Sequence, residues 1–367
     1  MAENILFSKL IYNFFKKYSI PEIKDNYDLG NPGKMIVIRQ HNQLGDLLAG
    51  IPLFRAIKEK YPGVHLTVVA SPSNYQGLSK NKFIDRLFIF DKKKLINPAY
   101  FNELHKILKE KYDIAIVPVT VSISFTSNLL ARLADAKIRI GAQSLDGKKN
   151  KSDFFFDRRV NIDSRKHPDQ NIYERSLDLV RPFGITTENF RPEISFDKED
   201  SKFAEKFIST EVKLVEGEHL IGLHIGAGKP QNRWSLQKYA DLIERLNKEY
   251  PSKFYITGSV SDHEEISFIK SKLKIPVPFF LDHSISQIAA LISKSDLFIS
   301  NDTGIMHVAG ATDVAQVSIF GPTNPFAWAP LGEDKRIVKR SDFIDDVTVN
   351  DVFEECKILL DKIQVVH

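Results

Sequence analysis

The stretch DLFISNDTGIMHVAGA, residues 296–311, decides the fold. Apolar residues Leu297 to Ile299 run into Asn301-Asp302-Thr303-Gly304, and a second apolar run with His307 near its start follows at once. A short apolar run, a polar break containing glycine and a helical run make a strand, a turn and a helix. The turn places the amides of Thr303 and Gly304 where a helix begins, at the carboxyl end of a strand. Helix starts carry unsatisfied N–H groups and the positive end of the peptide dipole, and they attract anions such as phosphate. Plain N-capping by Asp302 or Thr303 accounts for those two residues. It does not account for His307 in the first turn.

The same unit recurs on both sides. HIGAGKPQNRWS, residues 224–235, places Gly226, Gly228, Lys229 and Arg233 after a strand and before a helix, with glycines for close backbone approach and two cations to offset a diphosphate. FGPTNPFAWAP, residues 320–330, ends another strand. The dinucleotide fingerprint GxGxxG and the phosphate-loop pattern GxxxxGK[ST] are both absent, which weakens oxidoreductase and NTPase readings. Strands and helices alternate from residue 34 to 189 and again from 203 to 349, separated by a charged, proline-marked connector over 190–202. A C-terminal helix follows over 350–367 and could pack on either half. The class is α/β, with two Rossmann-like parallel-sheet domains, an arrangement that binds ligands in a central cleft.

A chain of 367 residues, 43% hydrophobic and 27% charged, is long enough for two such cores. The formal charge of +4 does not argue for nucleic acid, and the single cysteine, Cys356, excludes an internal disulfide framework. No HExxH, cysteine pair or Asp-x-Asp occurs, so no metal site is expected. Residues 1–33 form an N-terminal extension. Ile5, Leu6, Leu10, Ile11, Phe14, Phe15 and Tyr18 recur near helical spacing, with Lys9, Lys16 and Lys17 between them. Such an amphipathic helix suits an anionic membrane surface or the body of the protein itself.

In the first half, RQHNQLGDLLAGIP, residues 39–52, sets Asp46 at the carboxyl end of the first strand. A carboxylate there is an N-cap, or a base that takes a proton from a hydroxyl nucleophile across the cleft from the anion loops. Between Arg132 and Lys166 there are 10 Lys and Arg against 5 Asp and Glu. This is a solvated face or a landing site for an anionic acceptor. Arg39, His41, Arg158 and Arg159 are its candidate contacts.

The block from Gln43 to Ser71, the segments around residues 113–142 and 165–185, and the blocks HIGAGKPQNRWSLQKYADLIERL, YITGSVSDHEE and NDTGIMHVAGA…VSIFGPTNP resemble the heptosyltransferases, glycosyltransferase family nine, from about Lys34 onward. The resemblance implies a GT-B fold and inverting, metal-independent transfer of a sugar, with ADP-heptose as donor and no cofactor. It implies that Asp46 is the general base and that Asp302, Thr303 and Gly304 contact diphosphate and sugar, with His307 nearby. It puts Glu264 or Glu265 on the ribose. Asn232 stands where the family commonly has a lysine, which leaves the diphosphate charge to Lys229 or Arg233. The implied partner is an anionic, lipid-linked glycan such as the lipopolysaccharide core, met in the cytoplasm or at the inner membrane face. A nucleotide-sugar epimerase, a GT-B transferase using a UDP- or GDP-sugar, and a non-catalytic nucleotide- or glycan-binding module are the alternatives.

Overall fold

Val- and Ile-rich runs form the strands, and their near-complete burial matches sheets covered on both faces. In the computed structural model, residues 13–14, 16–23, 26–40, 43–73, 75–259 and 262–363 are described. The amphipathic helix expected over the first 20 residues falls largely outside them, as does His41. The first sheet contains β1 (Lys34–Arg39), β2 (His65–Ala70), β3 (Arg86–Ile89), β4 (Tyr112–Ile116), β5 (Ala136–Leu145), β6 (Lys148–Lys149) and β7 (Arg158–Ile162). Its order is β3-β2-β1-β4-β5-β6, with β7 also on β5, and only the β5–β6 pair is antiparallel.

The second sheet contains β8 (His219–His224), β9 (Ser252–Gly258), β10 (Phe279–Leu281), β11 (Leu297–Asn301), β12 (Ala315–Ile319) and β13 (Lys335–Val338). It is parallel throughout, in the order β10-β9-β8-β11-β12-β13. This is the Rossmann order, and its direction reverses between β8 and β11. Loops leaving those two strands therefore part to opposite faces and open a crevice at their carboxyl ends. Both anion loops singled out above leave these strands.

The chain divides into two compact units that do not follow a single cut. The first takes the described residues of 1–42, 49–75 and 82–190; the second takes 43–48, 76–81 and 191–367. Two short pieces of the first half thus pack with the second unit. Lys80 explains one of them, because its ammonium lies 2.6 Å from both Asp197 and Asp200. Those carboxylates also cap the helix Lys198–Phe207 through a reciprocal capping box. The connector expected over 190–202 therefore already contains the start of a helix. The C-terminal helix Val349–Leu360 belongs to the second unit, where Val352, Phe353, Cys356, Leu359 and Leu360 join the core beside Trp234. Trp234 Nε1 donates to the Val347 carbonyl at 2.9 Å, closing that corner.

Gly222 occupies the middle of β8, in register with Tyr255 on β9 and Phe298 on β11. The two buried rings fill the space that a side chain would need. A Cβ there would stand 2.7 Å from Phe298 Cδ2 and collide with the Tyr255 hydroxyl, which is held 2.7 Å from Ser295 Oγ. Gly222→Ala should lower stability by about 1–3 kcal/mol, the usual cost of overpacking, and thermal unfolding measures it.

Two buried histidines set a pH dependence for the second unit. Burial pushes both His224 and His307 down to about 4. Their folded values lie below the unfolded one, so the folded state stays neutral while the unfolded state takes up protons. The contribution of these two groups to stability is therefore fully present above about pH 6.5 and is lost as the pH falls toward about 4. The melting temperature should drop between about pH 7 and about pH 5, and less so in His224→Gln, which removes one of the two groups.

Candidate active site

Asn301, the last residue of β11, is fully buried and spends its whole amide on the loop that leaves β8 and the helix Leu236–Glu249 after it. Its Nδ2 donates to the carbonyls of Ile225 (2.9 Å) and Gly226 (3.2 Å). Its Oδ1 accepts from the Trp234 amide (3.1 Å) and the Tyr239 hydroxyl (3.0 Å). Four hydrogen bonds from one side chain thereby hold the two loops of the crevice in register. A buried amide so fully satisfied costs little and specifies a single geometry.

The next residue carries the charge. Asp302 accepts from Asn232 Nδ2 at 2.9 Å, and the same nitrogen reaches the Asp302 carbonyl at 3.3 Å. Burial is the largest influence on the Asp302 carboxyl and lifts it above the ordinary carboxylate range. Hydrogen bonds from Thr323 and Asn232 and the charge of Lys229 pull it the other way. Thr303 then precedes the helix Gly304–Gly310 in extended conformation, and its hydroxyl does not cap the helix. At the other end of that helix Lys335 Nζ donates to the carbonyls of Ala309, Thr312 and Val314 at 2.7–3.2 Å. These bonds fasten the helix from its carboxyl end, and burial lowers the Lys335 amine to about 7.

Against this helix packs another, Leu44–Leu48, which carries Asp46. Contact is close because two glycines face it. A Cβ on Gly45 would lie 2.5 Å from His307 Cδ2, and one on Gly304 would lie 3.1 Å from Leu44 Cβ. No larger residue fits at Gly45 without displacing the imidazole, and the Trp328 ring lies 6.3 Å from that imidazole. Asp46 was expected on the first half, opposite the anion loops. Through this packing it joins the second unit instead. The reason is steric: a backbone without a side chain at position 45 lets the imidazole seat on it.

These parts line one cavity of about 500 Å³ within the second unit, a volume suited to a small ligand. Asp46, Gly228, Lys229, Asp302, Thr303, Gly304 and His307, all expected from the sequence, are on its wall. Gln43, Asn232, Thr323 and Trp328 are there as well. Thr323 comes from the loop after β12 and Trp328 ends the short helix Pro325–Trp328 that follows it, a stretch that the FGPTNP block had marked without naming either residue.

Other expected residues lie elsewhere. Gly226 stands back from the cavity, its Cα beside the His224 ring, whose Nδ1 donates to the Thr257 carbonyl at 3.1 Å. Arg233 turns away, bonded to the Ala227 carbonyl (2.8 Å) and paired with Glu265 (2.8 Å). That pair leaves Lys229 as the cation at the cavity wall. Glu264 is exposed on the helix His263–Lys272. In the first unit, Arg39 is fully buried with its guanidinium against Gly50, where a Cβ would be 2.6 Å from Nε. Arg158 and Arg159 share a different cavity of that unit. Among the described residues, no group of three or more His, Cys, Asp or Glu could hold a metal ion.

The model of glycosyltransferase family 9 (heptosyltransferase) matches residues 101–350. Lipopolysaccharide heptosyltransferase 2 of Salmonella typhimurium is 24% identical over 324 residues, which cover 81% of this chain and 85% of the relative. Among solved structures, a family 9 glycosyl transferase from Veillonella parvula superposes with a TM-score of 0.78 at 21% identity, covering 90% of this chain and 98% of its own. The ADP-heptose lps heptosyltransferase II of E. coli superposes with a TM-score of 0.73 at 22% identity, covering 90% and 99%. The fold is accordingly of GT-B type, and the chain is an enzyme of sugar transfer that belongs to glycosyltransferase family 9.

Proposed function

We propose that this enzyme moves a heptose from ADP-heptose to a hydroxyl of an anionic, lipid-linked glycan of the lipopolysaccharide-core type, with inversion and without a metal ion or other cofactor. The observation that carries this reading is the shared cavity: a carboxylate on one helix, Asp46, and anion-binding groups on the facing loops, Lys229, Thr303 and Gly304, line the same space. The donor is read from the E. coli relative, whose name states ADP-heptose. The acceptor is read from relatives that are lipopolysaccharide heptosyltransferases.

The chemistry follows from the placement. Asp46 takes the proton of the acceptor hydroxyl, and that oxygen attacks the anomeric carbon. The bond from the anomeric carbon to the diphosphate oxygen breaks, and ADP leaves with the bonding pair. Negative charge growing on the diphosphate meets Lys229 and the amides of Thr303 and Gly304, donors already oriented before reaction. His307 is neutral at working pH because burial lowers its pKa to about 4, so it walls the cavity without adding charge. Asn232 fixes Asp302 by hydrogen bonding, leaving that carboxylate to orient hydroxyls of the donor sugar. We read the work as done at the cytoplasmic face of the inner membrane; what supports contact with that surface is that Phe14 and Tyr18 are 61% and 60% exposed beside Lys16 and Lys17. Among the described residues no helix is long and apolar enough to cross a bilayer.

Thermal shift with ADP, UDP, GDP and CDP in metal-free buffer is the first test, since a ligand bound only by the folded state raises the melting temperature. Selective stabilisation by ADP is expected; selective response to UDP or GDP would move the enzyme to another donor, and response to none would remove the transferase reading of this cavity. Asp46→Asn should lower kcat by about 10²–10⁴-fold while the ADP dissociation constant stays within about twofold. Loss of ADP binding in that variant would contradict a base role. Lys229→Gln should weaken ADP by about tenfold, measured by calorimetry, as expected for a lost charge-assisted contact.

A further inference from the structure

Asn232 is only 5% exposed and stands on the wall of the 500 Å³ cavity. Its backbone is held on both sides. It ends the short turn Pro230–Asn232, where its own amide donates to the Lys229 carbonyl at 3.0 Å, and two residues later the Trp234 amide is tied to Asn301. The side chain is fixed in orientation as well. Nδ2 faces two oxygens of Asp302, one of the carboxylate at 2.9 Å and the carbonyl at 3.3 Å. Both accept, so the amide cannot turn over without setting oxygen against oxygen.

That arrangement uses one half of the amide and leaves the other. Oδ1 is buried and has no hydrogen-bond partner among the described residues. A buried acceptor without a hydrogen weakens the fold, and a ligand that brings one recovers the loss. The chemistry of that ligand group follows. An ionised diphosphate presents acceptor oxygens and cannot meet Oδ1; Lys229 and the amides of Thr303 and Gly304, all N–H groups on the same wall, are the ones that suit it. A hydroxyl suits Oδ1. Because Oδ1 and Nδ2 share one carbon, that oxygen stands beside the Asp302 carboxylate. Two loops, one after β8 and one after β11, thus bring two acceptors together, and they differ in kind from the groups suited to phosphate.

We propose that Asn232 is a specificity-determining residue for the transferred sugar: its Oδ1 accepts from a hydroxyl of that sugar, next to the hydroxyl that Asp302 takes. The proposal rests on the reading of this cavity as a nucleotide-sugar site. It divides the wall between two tasks, with Lys229, Thr303 and Gly304 on the diphosphate and the Asn232–Asp302 pair on neighbouring sugar hydroxyls. A sugar lacking the hydroxyl leaves Oδ1 buried and unbonded. Sites built to bond a hydroxyl reject the analogue without it far more strongly than an apolar pocket rejects a missing methylene.

Calorimetric titration of the full chain with ADP and with ADP-heptose, without acceptor, tests it. ADP already carries the adenine amine and the ribose hydroxyls, so the difference between the two ligands isolates contacts to the sugar. Asn232→Leu removes both halves of the amide at similar volume, whereas Asn232→Lys keeps an N–H for Asp302 and removes only the acceptor. In both variants ADP-heptose should weaken relative to ADP by about fivefold or more, as expected for one lost hydrogen bond at a buried group. An equal change for both ligands would give the contact to the nucleotide, and a loss in Asn232→Leu but not in Asn232→Lys would give it to the grip of Nδ2 on Asp302. Either result overturns the proposal, as does unchanged binding in both variants. Ligand-free melting shows that each variant is folded; Asn232→Ala replaces an unfolded Asn232→Leu, and Asn232→Arg, also without an acceptor, replaces an unfolded Asn232→Lys. Binding of ADP by the wild type upholds the nucleotide reading whatever the variants do, and binding of neither ligand removes that reading and this one with it, so the two failures are distinguishable.

Discussion

The contact between Gly45 and His307 is the constraint on which the site depends. A helix of five residues, Leu44–Leu48, is too short to persist by its own hydrogen bonds and exists because of what it packs against. Its partners are the imidazole over Gly45, Gly304 under Leu44, and Gly77, where a Cβ would come within 2.9 Å of Leu44 Cδ1. Three missing side chains therefore create the seat, and Asp46 projects from it into the cavity. Enlarging position 45 would push the carboxylate away from the anion loops without touching its chemistry.

Electrostatics in the cavity is arranged by neutral groups more than by charged ones. Asn301 holds the loops together with a side chain that carries no charge, and Asn232 stands beside Asp302. An amide offers Asp302 a hydrogen bond and no countercharge. Burial consequently lifts the carboxyl above its ordinary range despite Lys229 and Thr323. Asp302 is thus left with one nearby cation, and that same cation stands where the diphosphate is read. The two demands on Lys229 oppose each other: charge spent on a ligand is less available to the carboxylate. A donor-bound state should accordingly lift Asp302 further, which favours a hydroxyl-binding role over a purely electrostatic one.

The parts of this structure legible in the sequence are those governed by local chemistry. The strand-turn-helix at 296–311, the glycine loop after β8 and the alternation that yields two parallel sheets all follow from periodicity and turn residues within short windows. What escaped was set by partners distant in the chain. Nothing near Asp46 announces that its helix packs on a helix some 260 residues later. Nothing near Arg233 announces Glu265, which turns the guanidinium from the cavity. Arg39 has the composition of a binding residue and is buried at the end of β1. Thr323 and Trp328 sit in a turn and the four-residue helix after it, whose prolines read as a turn, because a turn residue and a ligand-facing residue look alike until the neighbouring strand is placed.

Charge runs are the weakest of these signals, and the basic segment between Arg132 and Lys166 shows why. Its excess of cations dissolves when each is followed to its surroundings. Arg165 is paired with Asp163, Arg139 lies near Asp157, and Arg159 is spent on backbone carbonyls. Lys148 and Lys149 are exposed on a two-residue strand, where solvent screens them. Attraction to a ligand is worth most where water is excluded and no protein anion competes. By that measure burial sets Arg158 apart from the other nine cations of the run, most of which describe a surface.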